Sequence, residues 1–469
     1  MKYFSTRDLH KTTEDFSSVL MKGLAADGGL YIPEEYPQIS EKRLIELSKK
    51  KYADLAYEIM SLFISDSIAA DSLKTILDKT YSSDVFQFED ITPVHKLYKN
   101  IYIQDLSTGP SLAFKDLAMQ FLGNAMNYVL NKHNSRLTIL GASSGDTVSA
   151  AEEALRAKES IDVVMLTPKT GMSDFQKAQA GSILDSNIFN LSIKGPFDLC
   201  QDIVKTVNRD ALFKAKYSIG AVNSINWGRI CAQIVYYFQG YFLSVNSVGE
   251  EVDFIVPSGN FGNVLAGYIA KQMGLPIRKL GVSTNENIVL DHFFKTGLYT
   301  QKDVVVTSSP SMDISKASNI ERLFFDIVDR DPKACSDLMA EFETNKHISL
   351  VDKLDFINSV GFESDSCTHL DRVKCIKKVY DDSGYVIDPH TAAAMKFAFE
   401  KQELNNPVPI ICMETAKSTK FESIISESLG FIPDRPEQFK NLESKPQRFF
   451  DVDNSIDSVK DFIKKNIDI

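Results

Sequence analysis

Long apolar runs are missing from this sequence of 469 residues. Nothing approaches the roughly 18 successive apolar residues of a membrane-crossing helix, so no membrane span is expected. The opening Met1-Lys-Tyr-Phe-Ser-Thr-Arg-Asp8 has no apolar core followed by a small-residue cleavage site, and it does not read as a secretory signal. Cysteine is sparse as well. The six residues Cys200, Cys231, Cys335, Cys367, Cys375 and Cys412 form no Cys-x-x-Cys pair. They read as buried thiols of a reducing compartment, and a cytoplasmic location is expected. Cys367, His369 and Cys375 come nearest to a metal cluster, but they lack the tight paired spacing of structural zinc sites, and no metal is expected. Positive charge is in deficit: 52 Lys and Arg against 63 Asp and Glu leave a net charge of −11. That balance disfavours non-specific binding to nucleic acid or an anionic membrane surface, so any anion must be held by a local site.

What is present is an ordinary folded-protein composition, 43% hydrophobic and 25% charged, over a length that calls for two or three domains. Residues 1 to about 95 show no regular alternation of elements. Residues 24–33 are turn-rich around Asp27-Gly28-Gly29. Lys22 precedes them, read either as a solvated charge or as a phosphate contact. Residues 41–64 have the period of one helix. From about residue 100 onward, short apolar runs alternate with amphipathic stretches. Strands are expected near 101–104, 137–140, 163–166, 188–193, 218–222, 252–256, 280–283 and 409–413, with helices between most of them. Such alternation means parallel sheet with helical crossovers. The stretch 315–380 is helical and charged, and reads as a solvated insertion or outer layer.

One helix organises the chain. Gly109-Pro110 breaks the backbone ahead of it. Phe114, Leu117, Phe121, Ala125 and Val129 share one side, and Lys115, Ala118, Met119, Leu122 and Met126 the adjacent side. Asp116, Gln120, Asn124, Asn127 and Asn131 form a narrow polar stripe. A helix this apolar around its circumference is largely buried. Lys115 opens an apolar sector, where an ammonium is costly and its pKa is pushed down. A desolvated lysine amine is the nucleophile that forms Schiff bases with carbonyl compounds.

Ligands of open α/β sheets sit in the turns that leave the carboxyl ends of strands. Four such turns carry chemistry. Pro257-Ser-Gly-Asn-Phe-Gly-Asn263 follows a strand and opens a helix. Its two glycines let backbone N–H groups converge, and the helix start adds positive partial charge, which makes a phosphate cradle without basic side chains. Gly141-Ala-Ser-Ser-Gly-Asp-Thr147 offers hydroxyls and N–H groups at another helix start. Asp146 there is either a cap or part of a seat for a substrate carboxylate. Asn223-Ser-Ile-Asn-Trp-Gly-Arg229 places an arginine beside amides; taken alone it reads as an exposed Arg at a helix start, and the alternative is a bidentate phosphate contact, which Arg suits. Thr415, after the last expected strand, reads either as an ordinary turn threonine or as a hydroxyl for a ring nitrogen. A buried lysine, a phosphate cradle and a second anion site together fit pyridoxal 5′-phosphate acting on a phosphorylated amino acid.

These stretches resemble the threonine synthases, pyridoxal-phosphate enzymes of fold type II, the fold of the tryptophan synthase β-subunit. The resemblance rests on Gly23-Leu-Ala-Ala-Asp-Gly-Gly-Leu-Tyr31, Gly109-Pro-Ser-Leu-Ala-Phe-Lys-Asp116, Ser144-Gly-Asp-Thr147, the turns 223–229 and 258–263, Pro310-Ser-Met-Asp-Ile314 and Asp388-Pro-His-Thr-Ala392. It implies an α/β architecture of two open, twisted, mostly parallel sheets flanked by helices. Three regions are expected: an N-terminal segment over 1–95, an α/β domain over 96–225, and a large α/β domain over 226–469 that carries the insertion. The implied reaction is a β,γ-replacement in which O-phospho-L-homoserine and water give L-threonine and phosphate. Lys115 is the implied Schiff-base lysine and proton shuttle. Gly259, Asn260, Phe261, Gly262 and Asn263 would hold the cofactor phosphate, and Thr415 would face the pyridine nitrogen. Ser144, Asp146 and Thr147 would hold the substrate carboxylate, and Asn223, Ser224 and Arg229 the substrate phosphate. Monomer and homodimer both remain open. Two departures stand out. The family's His-Gly-Pro-Thr is Thr108-Gly-Pro-Ser111 here, and its Thr-Ala-His-Pro-Ala-Lys-Phe is Thr415-Ala-Lys-Ser-Thr-Lys-Phe421.

Overall fold

The expected alternation of strand and helix becomes two largely parallel sheets, one in each of two units. The computed structural model describes residues 1–64, 66–142, 145–169 and 172–467. The first unit comprises Met1–Val19, Leu24–Phe114 and Ser224–Asp434. Its six-stranded sheet runs in the order Phe362–Ser366, Ile277–Thr284, Val252–Pro257, Ile410–Glu414, Ile101–Asp105, Val94–Lys96. All neighbours are parallel except the last pair. Val252–Pro257 and Ile410–Glu414 are buried at every residue, as strands covered on both faces are. Their register aligns the carboxyl ends, with Cys412 opposite Ile255 and Glu414 opposite Asp105. The turns after Pro257 and Glu414 therefore leave neighbouring strands at the same edge. Ile101, Ile255, Ile376, Ala394 and Ile410 belong to one core cluster of this unit.

Helix Trp227–Ser244 is buried from Trp227 to Tyr241, and Asn226 caps it by accepting from the Gly228 N–H at 2.9 Å. Trp227, fully buried, lies 5.7 Å from the Tyr3 ring and 5.9 Å from the Phe63 ring, so the sole tryptophan is a packing anchor.

The second unit comprises Leu20–Gly23, Lys115–Asn223 and Arg435–Ile469. Its parallel sheet runs Phe450–Val452, Ile188–Ile193, Ile161–Pro168, Leu137–Ala142, Ile219–Gly220. Leu140, Val164, Leu191, Ile203, Val459 and Ile463 share its core. Helix Lys115–Lys132 approaches helix Asp146–Leu155 so closely that a Cβ on Gly123 would lie 2.4 Å from the Ala154 carbonyl oxygen.

Several expectations need correction. Residues 41–64 form two helices, Glu41–Leu47 and Tyr52–Ile64, because Ser48 to Lys51 offer polar side chains where the apolar face would have to continue. The expected strand at 218–222 shrinks to Ile219–Gly220. Residues 315–380 are not a solvated insertion: Phe362–Ser366 is an edge strand of the six-stranded sheet, and Arg322 and Arg372 are fully buried. Arg322 donates to the carbonyls of Tyr31 and Ile225 and to Asn319 Oδ1, which satisfies a charge that composition alone assigns to the surface. Asp116, placed on the polar stripe, is also fully buried. The last residues, Arg435–Ile469, expected with the large domain, cluster with the second unit, where Phe450–Val452 adds a strand.

Candidate active site

The turn after Pro257 is held from behind. Ser258 N–H donates to Ser283 O at 2.9 Å. Asn260 O accepts from the Asn319 backbone N–H (3.1 Å) and side chain (3.2 Å), and Asn260 Oδ1 accepts from Ser318 Oγ at 3.0 Å. Phe261 takes left-handed backbone angles (φ 63°) and sends its ring into the core, stacked on Phe294 at 5.8 Å. Its contribution to a cradle can come only from its backbone. Helix Gly262–Gln272 starts immediately after it. Among the described residues, the N–H groups of Gly259, Asn260, Phe261, Gly262 and Asn263 donate to no protein acceptor.

Asn263 Oδ1 accepts from the hydroxyls of Tyr236 (2.6 Å) and Tyr237 (2.8 Å), which leaves its buried Nδ2 without an acceptor among the described residues. Five consecutive N–H groups without protein acceptors among the described residues, one orphaned amide and a helix start fit a dianionic phosphate. Gly259 admits no side chain: a Cβ would lie 3.0 Å from Ser311 O and 2.8 Å from Ile314 Cγ1. Gly259→Ala should therefore displace the cradle and lower cofactor retention by about tenfold. The absorbance of bound pyridoxal phosphate after gel filtration measures this.

The turn Asn223–Arg229 divides its residues. Asn223 is exposed. Ser224 Oγ lies 3.0 Å from Ser318 Oγ, the same hydroxyl that reaches Asn260. Ser318 thus joins the turn at 224 to the turn at 260. Arg229 is 5% exposed. Burial pushes its guanidinium down to about 10, with Tyr236 acting in the opposite direction, so it stays charged at neutral pH.

In the second unit, Lys115 is the first residue of its helix, and its Nζ lies 3.8 Å from Asp146 Oδ2. The lysine side chain is 15% exposed and the aspartate 4%. Asp146 makes no side-chain cap; Gly145 occupies that position. A buried carboxylate beside a lysine is unsuited to receive a second carboxylate, so any seat there depends on N–H groups and Thr147, which is half-buried. Ser144 lies outside the described residues.

The stretch that leads into Lys115 is clamped to the turn after Glu414, all within the first unit. Phe114 N–H donates to Thr415 O (2.9 Å), Lys417 N–H to Leu112 O (3.1 Å), and Lys420 Nζ to Ser111 O (2.6 Å). Leu112 is held at φ 58°. The Thr415 hydroxyl makes no hydrogen bond among the described residues and so remains available to a ligand.

Three family descriptions cover this chain: Threonine synthase N terminus over residues 2–81, Pyridoxal-phosphate dependent enzyme over 85–341, and Threonine synthase, C-terminal, over 391–463. A threonine synthase of Methylobacillus glycogenes is 50% identical over 479 aligned positions, covering 100% of both chains. The chain belongs to the threonine synthase family. A threonine synthase of Corynebacterium glutamicum is 46% identical and covers 99% of this chain and 98% of its own. The crystal structure of pyridoxal-phosphate-bound threonine synthase from Brucella melitensis matches with TM-score 0.96 at 36% identity, covering 100% of both chains. As a fold type II threonine synthase, this is a pyridoxal-phosphate-dependent enzyme with a small-molecule substrate. Among the described residues, no helix is long and apolar enough to cross a membrane.

Within this threonine synthase, the Lys417 departure has a structural partner. The parallel register sets two buried acids, Glu414 and Asp105, side by side. Lys417 Nζ pairs with Asp105 Oδ2 at 2.5 Å and lies 3.6 Å from Glu414 Oε1, while the Tyr385 hydroxyl donates to Glu414 Oε2 at 2.6 Å. Burial opposes the Lys417 charge, but Glu414 and Asp105 outweigh it and hold the ammonium above the usual lysine range. Sequence reading missed this pairing because its members are 312 positions apart. It missed Ser318 and Asn319 for a different reason: both lie in a stretch read as solvated.

Proposed function

We propose that this chain converts O-phospho-L-homoserine and water to L-threonine and phosphate. The observation that carries the reading is the match to threonine synthases along the whole chain, beside a lysine at position 115 and a glycine-bearing turn at 259–263. When bound, pyridoxal phosphate supplies the electron sink that stabilises carbanion character in the substrate. Lys115 Nζ would tether the cofactor aldehyde, and as a free amine it would take and return protons at Cα and Cβ. Asp146 Oδ2, 3.8 Å away, orients the amine. The N–H groups of residues 259–263 and Asn263 Nδ2 fix the phosphate end of the cofactor. Thr415 offers a hydroxyl to the pyridine nitrogen. A hydroxyl, unlike a carboxylate, leaves that nitrogen largely unprotonated and moderates the sink. Arg229, with Ser224 and Asn223, holds the substrate phosphate until it leaves; Thr147 and neighbouring N–H groups hold the carboxylate. All six cysteines are free and buried, which supports a reducing, cytoplasmic setting.

Phosphate release from O-phospho-L-homoserine, compared with turnover of L-serine and L-threonine, tests the reading. Preference for the phosphorylated substrate supports it; faster ammonia release from serine or threonine would replace it with a dehydratase. Arg229→Ala should raise KM for O-phospho-L-homoserine by about 10- to 100-fold, the scale of a charge-assisted contact to phosphate. Turnover of an unphosphorylated amino acid should change little.

A further inference from the structure

The motif at 388–392 and the turn at 310–314 meet inside the first unit through one histidine. Asp388 caps helix Pro389–Glu403, accepting from the N–H groups of His390 (2.9 Å) and Thr391 (3.3 Å). Its Oδ1 also lies 2.7 Å from His390 Nδ1, and both side chains are buried. On the other side of the ring, His390 Nε2 is 3.1 Å from the Ser311 backbone nitrogen. A backbone N–H can only donate, so Nε2 is the acceptor and Nδ1 carries the hydrogen toward Asp388. The tautomer is thereby set by two partners on opposite edges of the ring.

Ser311 is the residue against which the cradle rests. A Cβ at Gly259 would stand 3.0 Å from Ser311 O and 3.2 Å from Met312 Cα, so the two backbones are in contact. The His390 ring also packs edge-on against Phe421 at 4.9 Å, at the end of the turn that begins with Thr415. One buried ring therefore touches the backing of the phosphate cradle and the end of the turn that carries the pyridine-facing hydroxyl.

We propose that His390, oriented by Asp388, is a positioning residue that sets the Ser311 turn and through it the register of the Gly259 cradle on the cofactor phosphate. The proposal rests on the reading of residues 259–263 as that phosphate's seat. His390 touches neither substrate nor cofactor in this role; it fixes where the N–H groups point. Asn at 390 is too short to accept from Ser311 while keeping the Asp388 contact. Asp388→Asn keeps a good helix cap but can donate to Nδ1, which permits the tautomer whose Nε2–H opposes the Ser311 N–H.

Apoprotein of the wild type, His390→Asn and Asp388→Asn is titrated with pyridoxal 5′-phosphate and, separately, with pyridoxal, which has the same aldehyde and ring but no phosphate. Visible absorbance reports binding, and thermal melting reports folding. In both variants, affinity for pyridoxal 5′-phosphate should fall by about tenfold, as a misplaced hydrogen-bonded seat would cause, while affinity for pyridoxal stays within about twofold. Equal losses for both ligands would assign His390 a general structural role and overturn the proposal, as would unchanged preference for the phosphorylated ligand. If His390→Asn does not fold, Asp388→Asn alone decides between these results. A wild type that binds both ligands equally would instead overturn the reading of the cradle itself.

Discussion

Lys115→Ala should give a folded protein whose threonine formation falls by about 10⁴-fold or more, because under the proposed role it loses both the tether for the cofactor aldehyde and the base at Cα and Cβ. The fold should survive. Lys115 is the first residue of its helix, its side chain is 15% exposed, and alanine is a strong helix former. The buried Asp146 loses a cation 3.8 Å away, which a melting curve would register as a modest drop. Lys115→Arg separates the two roles. Arginine restores a cation for Asp146 but cannot form the covalent linkage, so it should melt like the wild type and be as inactive as the alanine variant. Residual activity in Lys115→Arg well above that of Lys115→Ala would mean that the ion pair, and not the amine nucleophile, carries the rate.

The second large effect is on stability. Lys417→Ala leaves Asp105 and Glu414, paired across two parallel strands and both buried, without their cation. Stripping one partner from a buried ion cluster costs about 3–5 kcal/mol. The Lys417 side chain is 23% exposed, which places the expected loss at the lower end of that range. The cluster also has a pH signature. Burial pushes Glu414 up to about 8, with Lys417 opposing and Asp105 adding to the rise. The folded state thus holds a proton that the unfolded chain has already released, between the ordinary glutamate range and about pH 8. Stability from this group is greatest below that window and falls as pH rises through it. Glu414→Gln cannot titrate. Its Tm should gain on that of the wild type between about pH 5 and about pH 9. A constant difference across that range would remove Glu414 as the titrating group.

How much was legible depended on sequence distance. The strand at 188–193 and the helix start at Trp227 were readable because apolar period and caps are local properties. Lys115 and the 257–263 turn could be singled out from the sequence because the roles proposed for them rest on residue type and chain-local geometry. The role of residues 315–380 was not legible: charge suggested solvent, whereas Arg322 and Arg372 are neutralised or hydrogen-bonded by groups far away in the chain, such as Ile225 O and Glu286. For Phe261 the sequence did not show that only its backbone is free for a ligand: its ring is a core anchor stacked on Phe294. Asp146 was read as a cap or a carboxylate seat. Only the fold shows it beside Lys115, 31 positions away in the sequence.

The most direct test of the reaction is to run it in ¹⁸O-labelled water and weigh both products. If water adds at Cβ while the Cγ–O bond breaks, threonine carries the label in its side-chain hydroxyl and the released phosphate carries none. Labelled phosphate with unlabelled homoserine as the organic product would mean cleavage at phosphorus, and would contradict the assignment of a β,γ-replacement.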